Sequence, residues 1–109
     1  MSKGRTDEDA ATLFAALGDG TRLGLLRRLG EGEAQSIARL SQGTGLTRQA
    51  VTKHLHVLEQ AGLVACARSG RESLYSLEPA GLGTARAYLD GVSAHWEAAL
   101  MRLKDFVEG

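Results

Sequence analysis

Five side chains in the middle of the chain have the types and spacing to read a nucleic acid. Arg48, Gln49, Thr52, Lys53 and His56 fall within L-T-R-Q-A-V-T-K-H-L-H-V-L-E-Q-A-G-L-V, residues 46–64. At about 100° per residue they share one side of a helix, while Val51, Leu55 and Leu58, at i, i+4 and i+7, form an apolar stripe on the other. A helix with an apolar back and a long, hydrogen-bonding, cationic front can be laid into the DNA major groove, where base edges present donors and acceptors. Such a face also suits an ordinary solvated helix, so the flanking sequence has to decide.

The flanks supply what would hold such a helix in place. Thr47 can cap its first turn and Gly62 stands where a helix stops. Upstream, Ser36 can cap a short helix with Ile37 and Leu40 turned inward and with Gln42 and Gly43 in or just past its last turn. Thr44-Gly45-Leu46 then makes a tight turn. A short helix, a Gly-containing turn and a second helix form a helix-turn-helix. Downstream the period changes from 3.6 to 2. Leu63 to Arg68 and Arg71 to Leu77 read as strands joined by Ser69-Gly70, a two-residue hairpin turn. With Arg68 and Arg71 flanking its tip, this hairpin has the position of a wing that reaches a phosphate or the minor groove.

The remaining elements frame this centre. Residues 1–7 are expected to be a disordered N-terminus. The acidic run Asp7-Glu8-Asp9 suits a helix start, followed by the stripe Ala10, Leu13, Phe14 and Leu17 and a stop at Gly18. Asp19 reads as the N-cap of a second helix, Gly20 to about Leu29, with Leu25, Leu26 and Leu29 inward and the breaker Gly30-Glu31-Gly32-Glu33 after it. Pro79 fits the first turn of a last helix, about 79–108, whose apolar residues follow a heptad: Leu82, Ala85, Leu89, Val92, Trp96, Ala99, Leu103, Phe106. Tyr88, Leu100 and Val107 widen the stripe. Such a helix spans more than ~40 Å, too long for its own domain to cover. A second copy is therefore expected against it, with Leu82, Leu89, Val92, Trp96, Leu103 and Phe106 in the homodimer interface. The expected architecture is mainly α with a small β-hairpin wing (α+β), a dimeric winged helix-turn-helix of about five helices in one domain, residues 8–109.

Composition sets the outer bounds. The chain has 109 residues, 43% hydrophobic and 24% charged, and its formal net charge is zero. A zero balance argues against nucleic acid until its distribution is followed. Residues 46–71 carry Arg48, Lys53, Arg68 and Arg71 against Glu59, a balance of +3, whereas residues 72–109 carry three basic and six acidic residues. DNA responds to the local patch, because fields beyond roughly 8–10 Å are screened. No apolar run approaches the ~18 residues of a membrane span, no signal peptide is recognised, and the single cysteine suits a reducing compartment. A cytoplasmic setting is the expectation.

With these elements in order, the chain resembles the ArsR/SmtB family of bacterial winged-helix repressors over about residues 13–106. The resemblance is carried by F-A-A-L-G-D-G-T-R-L-G-L-L (14–26), S-I-A-R-L-S-Q-G-T-G-L-T-R-Q-A-V-T-K-H-L-H-V-L-E-Q-A-G-L-V (36–64) and G-R-E-S-L-Y-S-L (70–77). Gly20 departs from the family, which usually has proline after the aspartate. The resemblance implies a homodimer that binds an inverted-repeat operator in double-stranded promoter DNA and represses transcription. It also implies DNA-contact roles for Arg48, Gln49, Thr52, Lys53, His56, Arg68 and Arg71, with Gln49 and Thr52 nearest the base edges. Many relatives sense metal through Cys-x-Cys on the third helix, but residues 32–40 contain neither Cys nor His. Others bind zinc between C-terminal helices; here that helix offers His95, and Asp90 lies five residues away, too far around to share an ion. The resemblance is therefore to non-metal-sensing members, without a cofactor and with room for an unidentified small-molecule effector.

Other readings meet obstacles in the same residues. The chain has no Gly-rich phosphate loop, no nucleophile pair and no metal constellation, and His54 and His56 point in different directions on a helix, so no enzyme is expected. Cys66 reads as a small apolar filler rather than a redox switch, and Trp96 as a dimer-core residue rather than a ligand-pocket aromatic. The alternative to a DNA-binding regulator is a winged helix used only for protein contacts. The cationic face speaks against it.

Overall fold

Local hydrogen bonds set the helix boundaries, and three of the helices begin at side-chain caps. The computed structural model describes residues 7–108, with α1 Asp7–Leu17, α2 Gly20–Gly30, β1 Gln35–Ser36, α3 Ile37–Ser41, α4 Arg48–Gln60, β2 Val64–Ser69, β3 Glu72–Leu77 and α5 Pro79–Glu108. Residues 1–6, most of the stretch expected to be disordered, lie outside the described residues. Asp19, Ser36 and Thr47 each accept a backbone N–H three residues on, at 3.0, 3.2 and 3.0 Å. Each oxygen satisfies one of the orphan donors that open a helix. The Arg22 amide is the largest cause holding the Asp19 carboxyl below its usual range.

The α2, α3 and α4 stripes meet in one core. Leu40, Val51, Leu55, Leu58 and Leu63 are fully buried there, with Leu13, Leu25, Leu29, Val64 and Tyr75 around them. Two arginines close the helix ends against this core. Arg28 Nη1 donates to the carbonyls of Leu40 (2.9 Å) and Gln42 (2.8 Å), and its Nη2 to that of Arg39 (3.1 Å), so α2 satisfies the orphan C-terminal acceptors of α3. Arg22 does the same for α1, through Nε to Ala16 O at 2.7 Å and Nη2 to Ala15 O at 3.3 Å.

The turn between α3 and α4 is longer than expected, running from Gln42 to Thr47 rather than over Thr44-Gly45-Leu46 alone. Thr44 organises it: its hydroxyl donates to Ser41 O at 2.7 Å and accepts from Leu46 N at 3.1 Å.

The hairpin also differs in detail. Ser69 pairs with Glu72, so the two-residue turn is Gly70-Arg71, not Ser69-Gly70, and Arg71 sits in the turn itself. Gly70 has φ +64, and among the described residues no non-glycine residue has positive φ. The turn thus puts glycine at its first central position, where a serine would be strained. This register also sets Arg68 opposite Ser73 instead of opposite Arg71. A third strand joins the sheet: β1 pairs antiparallel with β3, through Gln35–Tyr75 and Ser36–Leu74, giving the order β1-β3-β2. Two residues are too few to give an alternating signal in the sequence. Tyr75 lies in the central strand, and burial, with Cys66 and Glu59 acting in the same direction, pushes its phenol up to about 12.

The last helix begins against the core and then leaves it. Ala85 is buried, Leu82 packs on the core, and the Phe14 and Tyr88 rings lie 5.7 Å apart, tilted. Beyond them Leu89, Val92, Trp96, Leu100, Leu103, Phe106 and Val107 are all exposed, Phe106 to 84%. No helix of the described residues is long and apolar enough to cross a membrane.

Candidate nucleic-acid interface

Burying Val51, Leu55 and Leu58 turns the opposite side of α4 to solvent. Arg48, Gln49, Thr52, Lys53 and His56 are all exposed there. Thr47 starts the helix, while the buried Leu40 and the capped end of α3 fix its angle, so the exposed face sits on a rigid support. His54 belongs to the other side: half-buried, its Nδ1 accepts from Arg22 Nη1 at 3.3 Å. Because guanidinium only donates, that contact assigns the His54 proton to Nε2.

The wing closes one side of this face. A groove of about 730 Å³ runs between α4, the start of α3 and the hairpin, and Arg48, Gln49, Thr52, Lys53 and Arg71 line it. Five of the seven residues expected to contact DNA are thus gathered around one depression. His56 and Arg68 are exposed but do not line it. Residues not foreseen from the sequence also contribute, namely Ser36, Ile37 and Ala38 from the α3 start and Glu72 and Ser73 from β3. Glu72 stands next to Arg71 in the sequence, and a wing assignment for one could have drawn the other in.

Hydrogen bonding already limits what each side chain can do. The Thr52 hydroxyl donates to Arg48 O at 2.7 Å, one turn back, so its proton is engaged and it offers outward an acceptor oxygen and a methyl group. Arg22 and Arg28 serve helix ends. Arg48, Lys53 and Arg71 therefore bring the positive charge to the groove, where an approaching polyanion would meet them.

Among the described residues no group of three or more His, Cys, Asp and Glu side chains is placed to hold a metal ion. Cys66 is exposed on β2, opposite Tyr75.

Comparison with known proteins points in one direction. A family model described as a helix-turn-helix domain matches residues 17–67. The HTH-type transcriptional regulator Rv2034 of Mycobacterium tuberculosis is 38% identical over 87 residues, covering 80% of this chain and 78% of the relative. An ArsR-like transcriptional regulator from Rhodococcus sp. RHA1 superposes with a TM-score of 0.81 at 36% identity, over 93% of this chain and 94% of the other. The homodimeric winged helix-turn-helix DNA-binding domain Mb0332 of Mycobacterium bovis, described as a possible ArsR-family regulator, reaches a TM-score of 0.64 at 29% identity, over 81% and 80% of the two chains.

Proposed function

Since the chain belongs to the ArsR family of winged helix-turn-helix, DNA-binding transcriptional regulators, we propose that it is a repressor that binds an inverted-repeat operator as a homodimer. The observation that carries this reading is the groove in which the polar face of α4 and Arg71 of the wing converge. In the proposed complex α4 enters the major groove, where Gln49 pairs an adenine through N6 and N7 and Thr52 offers its methyl to a thymine. Arg48, Lys53 and His56 reach bases or the neighbouring phosphates, and Arg68 and Arg71 hold the backbone beside them. A two-fold assembly then reads a two-fold site, with half-sites one helical turn or a multiple of it apart. Support for the pairing comes from the Mycobacterium bovis relative, itself homodimeric, and from the exposed stripe on α5. Repression is what the family resemblance implies: a dimer seated on promoter DNA would exclude RNA polymerase from it.

The test is a mobility-shift titration of the full chain on the DNA upstream of its own gene, with and without excess nonspecific competitor. Retention of the shifted band under competition, and a footprint with two-fold symmetry, are expected. A band lost to competitor in proportion to its mass would overturn sequence-specific reading, and no band at all would favour a winged helix used for protein contacts.

A further inference from the structure

Among the described residues lining the groove, Glu72 is the one carboxylate, facing the same space as Arg48, Lys53 and Arg71. It opens β3 beside the turn, opposite Ser69, and is exposed. Its carboxylate takes no hydrogen bond or ion pair from another described residue, so the neighbouring cations do not neutralise it by direct contact. A wing that served only to hold phosphates would gain from a neutral or basic residue here. An unpaired carboxylate repels the backbone of every duplex that enters, whatever its sequence. The repulsion is offset only where the DNA presents a hydrogen-bond donor. On base edges those donors are exocyclic amino groups: adenine N6 and cytosine N4 in the major groove, guanine N2 in the minor groove.

We propose that Glu72 is a specificity-determining residue: its carboxylate accepts a hydrogen bond from a base amino group and weakens binding to duplexes that lack one at that position. The proposal rests on the DNA-reading function above and deepens it, making discrimination partly a matter of rejection.

The preferred site of the full chain is first selected from a randomised duplex library. Affinities for that site and for a scrambled duplex are then measured by fluorescence anisotropy for the wild type, Glu72→Gln and Glu72→Ala. Both variants should bind the scrambled duplex several-fold more tightly and the preferred site no better, so that the ratio of the two affinities falls about tenfold. Reselection with Glu72→Gln should lose base preference at one symmetry-related pair of positions. Replacing guanine by inosine there removes only the minor-groove amino group. Loss of wild-type discrimination with inosine assigns the contact to guanine N2, and its retention assigns it to an amino group in the major groove. Equal tightening on both duplexes, in a variant that melts like the wild type, would overturn the proposal and leave DNA reading intact. A wild type with no preferred site would overturn the reading beneath it as well.

Discussion

Gln49 and Arg71 line the same groove but differ in what they can distinguish. An amide carries a donor and an acceptor that match one base edge, whereas a guanidinium at a turn meets a backbone that is the same everywhere. Gln49→Ala is therefore expected to cost about 1–3 kcal/mol on the preferred site and almost nothing on random DNA, relaxing preference at particular bases. Arg71→Ala should weaken both alike and reduce the salt slope by about 1. Parallel anisotropy titrations on cognate and random duplexes check this, and equal losses for both variants on both duplexes would void the division of roles. Tyr75 gives a second expectation at this scale. Its folded-state pKa of about 12 lies above the ordinary 10.0, so the neutral phenol is what the fold favours. The stability this contributes is whole below about pH 10 and is lost as pH rises through 12. Denaturant midpoints measured across that window should fall for the wild type and stay nearly level for Tyr75→Phe. Side chains whose partners are close in sequence were legible beforehand: Asp19, Ser36 and Thr47 each meet an amide three residues on. Arg28 was not, because its acceptors lie 11 to 14 residues away and only the packed helices bring them near.

The joint between α4 and α5 shows what an element needs beyond its own pattern. The chain turns out of α4 at Gly62, whose φ is +79, and the first turn of α5 lies directly on it, so that a Cβ on Gly81 would collide with the Gly62 carbonyl. Backbone cannot swing aside as a side chain can. Gly81→Ala should therefore cost at least about 1–3 kcal/mol, a fall in Tm of roughly 5–20 °C by circular dichroism. Gly83, two residues on in the same helix, has nothing within 4 Å of the corresponding position, and Gly83→Ala should raise Tm slightly by improving helix propensity. Similar melts for the two variants would remove the close approach. Helix periods and caps made α1, α2, α4 and α5 readable from the sequence, since each pattern repeats over several turns. The hairpin was readable only in outline: strand alternation fixes which residues share a face, but the turn residues decide the pairing, and the requirement for positive φ at Gly70 moved it to Gly70-Arg71. The short β1 and the Gly62–Gly81 contact are long-range outcomes with no local signal.

At the scale of the whole molecule the principal fact is a mismatch between helix length and core size. The described chain extends 66 Å along its longest axis and 21 Å along its shortest, and α5 carries its apolar stripe well past the residues that cover its start. Its heptad was plain in the sequence; that Leu82 and Ala85 serve the protein's own core while the stripe beyond is left open was not, since periodicity does not reveal where the core ends. Burying the exposed large side chains from Leu89 to Val107 would contribute on the order of 10 kcal/mol per copy, about 20 kcal/mol for two, which exceeds the roughly 4–15 kcal/mol lost on association, so pairing of two copies is expected at micromolar concentration. Trp96, 65% exposed and the chain's one tryptophan, should report it by a blue shift of its emission as concentration rises. Trp96→Asp should abolish that pairing, as read by sedimentation. The consequence for DNA follows from charge. Two copies with three or four cations each meet six to eight phosphates, giving a slope of log K against log salt on the order of −5 to −7. A single copy has half as many contacts and pays separately for each half-site, so Trp96→Asp should bind several hundred-fold more weakly at physiological salt, with a slope near −3. A variant that stays dimeric, or a monomer that keeps the full slope, would detach the long helix from the DNA-binding unit and return the assembly to a single-copy reader.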